Sequence, residues 1–434
     1  MDIEWVNHAS FVQRHGDVAL LSDPWLSGTA FNDGWELLVP SLFTPADVAS
    51  VTHIWFSHEH PDHFSPPVLK KIPAEVRERV QVVFQASPDQ RVAKFCRSIG
   101  FTVQEVRDGE WFSLGADFRI MVGRVPFYDS WSLTEAGGVR MLNLNDCVLH
   151  REIDLRRLVK TVGSVDLLMT QFSYANWVGG PADVALRLAA AQEKLDWVAK
   201  QLAAIKPTFC VPFASFSIFA HEENAYLNDE RNSVADAVQV IEQYGVTPVV
   251  LYPGDRWTVG VQHDNAEAIK RYAEADDVSN RPLRSHASVP LENLRQLAED
   301  YRQRVRSRNN RALLWLASWP PLHVTGPILI YLWDLDTIVR FDLAHGLRPV
   351  NLPAERAAVA MHSQSLSFTL KFDFGVDTLS VNGRFRGTAA AYRRLLRTFA
   401  VSVLNNNGRH LQFRLLTDRW LVRRAFERFV LRAS

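Results

Sequence analysis

Ser57-His58-Glu59-His60-Pro61-Asp62-His63 stands at the end of an apolar segment, 51–57, that reads as a buried strand. Three imidazoles and the carboxylate of Asp62 therefore fall within one short loop. In extended backbone His58 and His60 point to the same side and can share one ion. The tight turn after Pro61 directs Asp62 and His63 toward a neighbouring one. Imidazole and carboxylate donors suit zinc, iron or manganese. Two such ions, about 3.5–4 Å apart, can share a bridging hydroxide that acts as nucleophile. Four ligand-type side chains at this spacing have no packing reason to be there.

Working outward, the flanking sequence alternates strand and helix signals. Segments 3–6, 10–12 and 18–21 read as strands, the last opened by a His15-Gly16-Asp17 turn and closed by Asp23-Pro24-Trp25. Thr44 and Pro45 suggest the capped start of a short helix over 44–48, and Ser65-Pro66-Pro67 starts another. Strands are predicted at 82–85, 118–122, 139–143, 167–170 and 208–211, and helices over 88–99 and from Pro181 to about Ile205. This is an α/β chain whose strand-end loops carry the polar residues. Residues 266–311 are charged and helical in pattern. Beyond Pro320-Pro321, Leu366, Phe368, Leu370, Phe372 and Phe374 alternate as in a half-buried strand, and helices are predicted over 388–404 and 418–432. The expected organisation is a catalytic domain over 1–265, a helical connector over 266–320 and an α+β accessory domain over 321–434.

The 434 residues suffice for two domains with their own cores, and 47% hydrophobic with 22% charged residues is ordinary globular composition. Lysine plus arginine equals aspartate plus glutamate, 48 each, so the net charge gives no reason to bind nucleic acid or an anionic membrane. The arginines at 414, 419, 423, 424, 428 and 432 read as a solvated basic face. Three scattered cysteines, Cys96, Cys147 and Cys210, argue for a reducing compartment. With no signal-peptide pattern and no long apolar run, the expectation is a cytoplasmic protein without integral membrane association. Its partner is then a small-molecule substrate, with homo-oligomerisation left open.

His58-Glu59-His60-Pro61-Asp62-His63 resembles the His-x-His-x-Asp-His motif of the metallo-β-lactamase superfamily. Asn7-His8-Ala9-Ser10-Phe11 and Leu21-Ser22-Asp23-Pro24-Trp25 resemble the opening of the branch that contains ascorbate-6-phosphate lactonase and N-acyl phosphatidylethanolamine phospholipase D. Three further segments resemble the corresponding domain of CMP-N-acetylneuraminate hydroxylase: the one over 54–65, Asn143-Leu144-Asn145-Asp146-Cys147, and Gln171-Phe172-Ser173-Tyr174-Ala175-Asn176-Trp177. The resemblance covers roughly residues 1–260. It implies a four-layer αβ/βα sandwich, followed here by the C-terminal α+β domain, with two divalent metal ions (zinc or iron, with manganese as a further candidate) where strand-end loops meet.

By the same resemblance Asp146 is the bridging carboxylate, Asp23 orients a ligand imidazole from behind, and His8 polarises substrate or carries a proton, a task Asp62 shares. The sequence departs from the pattern between His63 and His150, where it has no histidine. Asp129, in Pro126-Phe127-Tyr128-Asp129-Ser130-Trp131, is either a substitute oxygen ligand or a loop aspartate. His221 either completes the second site or starts a surface helix. Trp131, Trp177, Tyr174 and Phe213 either wall a pocket or belong to the core.

Two reactions remain in view. One is hydrolysis of an ester, lactone, amide or phosphodiester by a metal-bound hydroxide. The other is an iron-dependent oxygenation or oxidation. The cysteines do not allow a Rieske cluster, so this second reaction needs electrons from a separate protein.

Overall fold

The computed structural model describes residues 1–87, 89–125, 129–278, 281–319 and 325–413. The expected basic helix over 418–432, with its arginines, and the residues Pro126, Phe127, Tyr128, Pro320 and Pro321 lie outside the described residues. The chain forms two compact units. The first comprises Met1–Val178, Val184–His221 and Ala225–Arg284; the second comprises Gly179–Asp183, Glu222–Asn224 and the chain from Ser285 onward. The stretch expected as a connector is divided between them: helix Ala266–Asp276 falls in the first unit and helix Leu291–Arg308 in the second.

The first unit holds two seven-stranded sheets built on one plan. In the first the order is Arg256–Thr258, Asp2–Asn7, Ser10–His15, Val18–Ser22, His53–Trp55, Gln81–Gln85, Thr102–Val106. The pairs up to Val18–Ser22 are antiparallel and the rest parallel. In the second the order is Trp111–Gly115, Phe118–Arg124, Ser130–Ala136, Val139–Asn145, Leu167–Gln171, Phe209–Phe213, Thr247–Pro248. It changes from antiparallel to parallel at Val139–Asn145. The sheets face each other: Val18, Leu20, Trp55 and Val83 of one pack with Ile120, Val122 and Ala136 of the other. Helix residues Val68, Leu69, Val92 and Cys96 cover the outer face of the first sheet, and Leu155, Leu158, Val198 and Leu202 that of the second. This is the four-layer αβ/βα sandwich.

The parallel strands are near-continuous apolar runs, as strands covered on both faces require. Their C-terminal ends, at the point where each sheet changes sense, leave a crevice where loop residues can meet. One close approach fixes the neighbourhood of that crevice. Gly123 pairs with Trp131 across the sheet, and a Cβ at 123 would lie 1.9 Å from the Trp131 ring. Gly123→Ala must therefore displace an indole only two residues from Asp129. A loss of about 1–3 kcal/mol in unfolding free energy is expected from this overpacking, measured by urea denaturation.

Several local readings change. The turn near Thr44 is a 3-10 helix over Asp47–Ser50, and Thr44 donates its amide and hydroxyl to Asp47 instead of capping a helix. Trp131, Trp177, Tyr174 and Phe213 are all buried.

The second unit is α+β, with a five-stranded sheet ordered Gly346–Pro349, Thr337–Asp342, Ile328–Leu332, Val359–Met361, Arg386–Gly387. The segment with alternating leucines and phenylalanines is not a strand here: Ser363–Lys371 is a helix that packs on Leu291–Arg308. Its buried face is Ser365, Leu366, Thr369 and Leu370, a spacing of one turn, whereas Phe372 and Phe374 are exposed. The helix predicted over 388–404 is two, Ala389–Thr398 and Ala400–Asn406, broken at Phe399. Thr388 caps the first through the Ala391 amide.

Candidate metal centre

Four strand ends supply the centre. Asp23 follows Val18–Ser22, the His58–His63 loop follows His53–Trp55, Asp146 follows Val139–Asn145, and His8 follows Asp2–Asn7. Two of these exits are bent by irregular backbone. A bulge shifts the register between Asn143 and Asn145, and Asn145 has φ +55°. That left-handed residue, which asparagine tolerates better than most, redirects the chain so that Asp146 leaves the sheet toward the loop. Asp23 itself has φ +40°. The loop closes by a turn in which the amides of His63 and Phe64 donate to the carbonyl of His60 at 3.0 and 2.7 Å.

Behind the loop lies a buried network around Asp23. Its carboxylate accepts from the Ser57 amide at 2.8 Å and the Ser57 hydroxyl at 2.7 Å. It also accepts from His63 Nδ1 at 3.0 Å and from the Asn145 amide at 3.4 Å. The single hydroxyl hydrogen of Ser57 is thus committed to Asp23. Ser57 Oγ, 2.9 Å from His58 Nδ1, can only accept there. Both His58 and His63 are thereby held with Nδ1 protonated on the network side, so that Nε2 is the atom each ring turns to the crevice. Asp23 thus stands behind both rings, and Ser57 links it to His58.

On the crevice side the donors converge. His63 Nε2 lies 3.4 Å from Asp62 Oδ2 and 3.4 Å from Asp146 Oδ2. His58 Nε2 lies 2.9 Å from His60 Nδ1 and 3.9 Å from Asp129 Oδ1. His8 Nε2 lies 3.4 Å from Asp62 Oδ2. Among the described residues two groups have ligand atoms all within 4.8 Å of one another: His8, Asp62 and His63, and His58, His63 and Asp146. His63 belongs to both. His60 stands at the solvent side beside His58 and Phe31, and Trp25 packs against His8. His221 is fully buried, which excludes the surface helix-start reading, and it belongs to neither group.

The electrostatics of these residues call for cations. Burial, with the neighbouring His63 and His60, pushes the His58 imidazole well below its ordinary pKa. Burial alone would do the same to His63, but Asp62, Asp146 and Asp23 override it and hold the ring well above. Burial tends to raise Asp62, yet His63 keeps it well below the usual carboxylate range. Asp129 is pushed up to about 7 by burial and then by the like charge of Asp146. Both nitrogens of His8, Nε2 of His63 and Oδ1 of Asp62 are buried without a hydrogen bond. Each such atom left bare costs roughly 1–3 kcal/mol. Divalent cations among these donors would remove that cost and relieve the repulsion among the carboxylates. The residues present fit a metal centre of nitrogen and oxygen donors. Cys147, next to Asp146, is kept protonated by burial and by Asp129 and Asp146, so it offers no thiolate.

Residues 2–170 match the family described as the β-lactamase superfamily domain. Over these residues the chain is similar to that domain. Among curated proteins the chain is 27% identical over 270 residues to the cytidine monophosphate-N-acetylneuraminic acid hydroxylase of Mus musculus, covering 55% of this chain and 43% of that protein. To the corresponding protein of Asterias rubens it is 24% identical over 252 residues, covering 52% and 36%. The chain spans less than half the length of these relatives. Among solved structures it is similar to CmlA, a diiron β-hydroxylase from Streptomyces venezuelae, with a TM-score of 0.43, 17% identity, and 60% of this chain and 54% of that one covered. It is also similar to an isothiocyanate hydrolase from Delia radicum gut bacteria, with a TM-score of 0.44, 14% identity, and 59% and 98% covered.

Three residues around the metallo-β-lactamase motif escaped the sequence reading. Ser130 donates to the Ser57 carbonyl at 2.6 Å and steadies the loop from the opposite sheet. Gln171 donates to Asp146 Oδ1 at 3.3 Å. Lys194 reaches Gln171 from the long helix Val184–Ile205. Gln171 lies in a quoted segment, so its position was visible though its role was not. Nothing in the helical pattern marks Lys194.

Proposed function

We propose that this chain is a metal-dependent hydrolase acting on an ester, lactone, amide or phosphodiester of a small-molecule substrate. The observation that carries the reading is the convergence of unbonded donors at His8, Asp62 and His63 beside Asp146 and His58. His58, His60 and Asp146, with Asp129 as an oxygen donor, would hold one ion; Asp62, His63 and Asp146 would hold the other. Bound there, the ions would supply Lewis acidity and a water deprotonated near neutral pH. The protein's own part is to keep both Nε2 atoms presented through Asp23 and Ser57. His8, buried and unbonded at both nitrogens, is placed to polarise the substrate or carry a proton to the leaving group. Asp62, kept ionised by the neighbouring His63, would serve as a ligand and could take up that proton only by giving up its charge.

A second reading, iron-dependent oxidation with electrons from a separate protein, is supported by two observations. Asp129 brings a carboxylate to His58 where a histidine would favour zinc, and the curated relatives named above are hydroxylases. The two readings part on elemental analysis of protein purified with and without air, combined with assays of 4-nitrophenyl esters and of oxygen uptake. Two equivalents of zinc with ester cleavage support hydrolysis. Iron with oxygen uptake and no cleavage overturns it. His60→Ala is expected to lose one equivalent of metal while the second stays bound; unchanged loading would refute His60 as a ligand.

A further inference from the structure

The substrate class can be narrowed from the Asp146 side of the centre, and this step rests on the hydrolase reading. Helix Val184–Ile205 carries Lys194 inward, where its ammonium donates to Gln171 Oε1 at 2.7 Å. The same side-chain amide donates to Asp146 Oδ1 and to the Ala214 carbonyl, each at 3.3 Å. Lys194 is therefore one side chain removed from a proposed ligand. Its ammonium also sits 4.5 Å from the centroid of the Trp197 ring. That ring is stacked on His150 at 4.3 Å with 8° between the planes, and the buried Nδ1 of His150 makes no hydrogen bond.

A lysine on a helix ordinarily extends into water, where its charge is solvated. This one is part-buried, held by a neutral amide and an aromatic face, with no carboxylate within ion-pair distance among the described residues. An ammonium has three N–H donors, and the protein's one hydrogen bond here uses only the first. Asp146 and Glu193 act on this cation only from beyond contact, and a desolvated cation with no carboxylate in contact is unfavourable unless a ligand supplies one. Burial accordingly pushes Lys194 down to about 8, against the opposing pull of Asp146.

We propose that Lys194, seated on Trp197 and positioned by Gln171, binds an oxyanion of the substrate, a carboxylate or phosphate set apart from the bond that is cleaved. Gln171 then joins the metal side and the anion side of one substrate site, and neutral substrates are discriminated against.

The test uses the metal-loaded full chain. Trace acetylation with acetic anhydride, read by mass spectrometry of the Lys194 peptide, is run with and without succinate or inorganic phosphate. At saturating anion, acetylation of Lys194 is expected to slow by about fivefold or more relative to exposed lysines, as high occupancy requires. In parallel, Lys194→Met is expected to keep its metal content. It should raise KM for the carboxylate-bearing 4-nitrophenyl hemisuccinate by about tenfold, the scale of a charge-assisted hydrogen bond. Neutral 4-nitrophenyl acetate should be unaffected, and Lys194→Arg should partly restore the hemisuccinate KM. Absence of protection by either anion, or equal loss on both esters, overturns the proposal. Protection without cleavage of either ester sinks the hydrolase reading and leaves the anion site standing. Cleavage without protection does the reverse.

Discussion

Exchange of His63 for alanine is expected to cost the centre the ion held with Asp62 and Asp146 and to lower turnover by about a thousandfold or more, the range of several kcal/mol of lost charge stabilisation. The reason is its shared position. Its Nε2 lies 3.4 Å from Asp62 and 3.4 Å from Asp146, and it is the one residue common to both donor groups. Removing it leaves Asp62 and Asp146 without the imidazole between them, so Asp62 loses the group that favours its ionisation. Metal content by emission spectrometry, alongside far-ultraviolet circular dichroism to verify folding, provides the measurement. A folded variant that keeps two equivalents of metal would show that His63 is not a ligand.

The second large effect comes from behind the ligands. Asp23→Asn keeps size and shape but replaces one acceptor oxygen with an amide donor. Asp23 Oδ1 takes the Ser57 amide, and Oδ2 takes the Ser57 hydroxyl, His63 Nδ1 and Asn145. Whichever way the new amide turns, a donor faces a donor in a fully buried site. Metal affinity is expected to fall by about 10–100-fold, as for other residues that orient ligands. The bare polar pair should also cost about 1–3 kcal/mol of stability. Competition with a chelator measures the first and thermal unfolding of metal-free protein the second. Unaltered affinity would mean that the ligand tautomers are set elsewhere.

Both predictions depend on residues legible in the sequence, because metal ligation concentrates rare side chains at short spacing. A loop with three histidines and an aspartate has no use in a core or on an ordinary surface, so composition at one place was enough. Asp23 and Asp146 were legible through the resemblance to a known family, and each ends an apolar strand. Ser57 and Gln171 have no such signature, since serine and glutamine serve anywhere a hydrogen bond is needed. Their roles follow from which atoms they meet across the fold.

The segment over 366–374 misled for the complementary reason. Ser365 and Thr369 are buried although polar, Thr369 donating to the Ser365 carbonyl and Ser365 to Glu223. Counting only the apolar residues therefore gave a period of two where the buried face has the period of a helix turn. A short helix takes its stability from tertiary packing rather than from local propensity, here from the face of Leu291–Arg308, which lies far away in sequence.

Sequence alone determined the α/β class and the histidine-rich loop, because periodic burial and ligand chemistry are written in local order, and its resemblance to a known family implied the αβ/βα sandwich and the flanking carboxylates. Tertiary structure decided how these pieces meet: the bulge and left-handed Asn145 that redirect Asp146, the Ser57 hydroxyl and Asp23 carboxylate that orient His58 and His63, and the inward seat of Lys194. Each of these depends on distances between strands and helices remote in the chain, and one-dimensional spacing does not encode such distances.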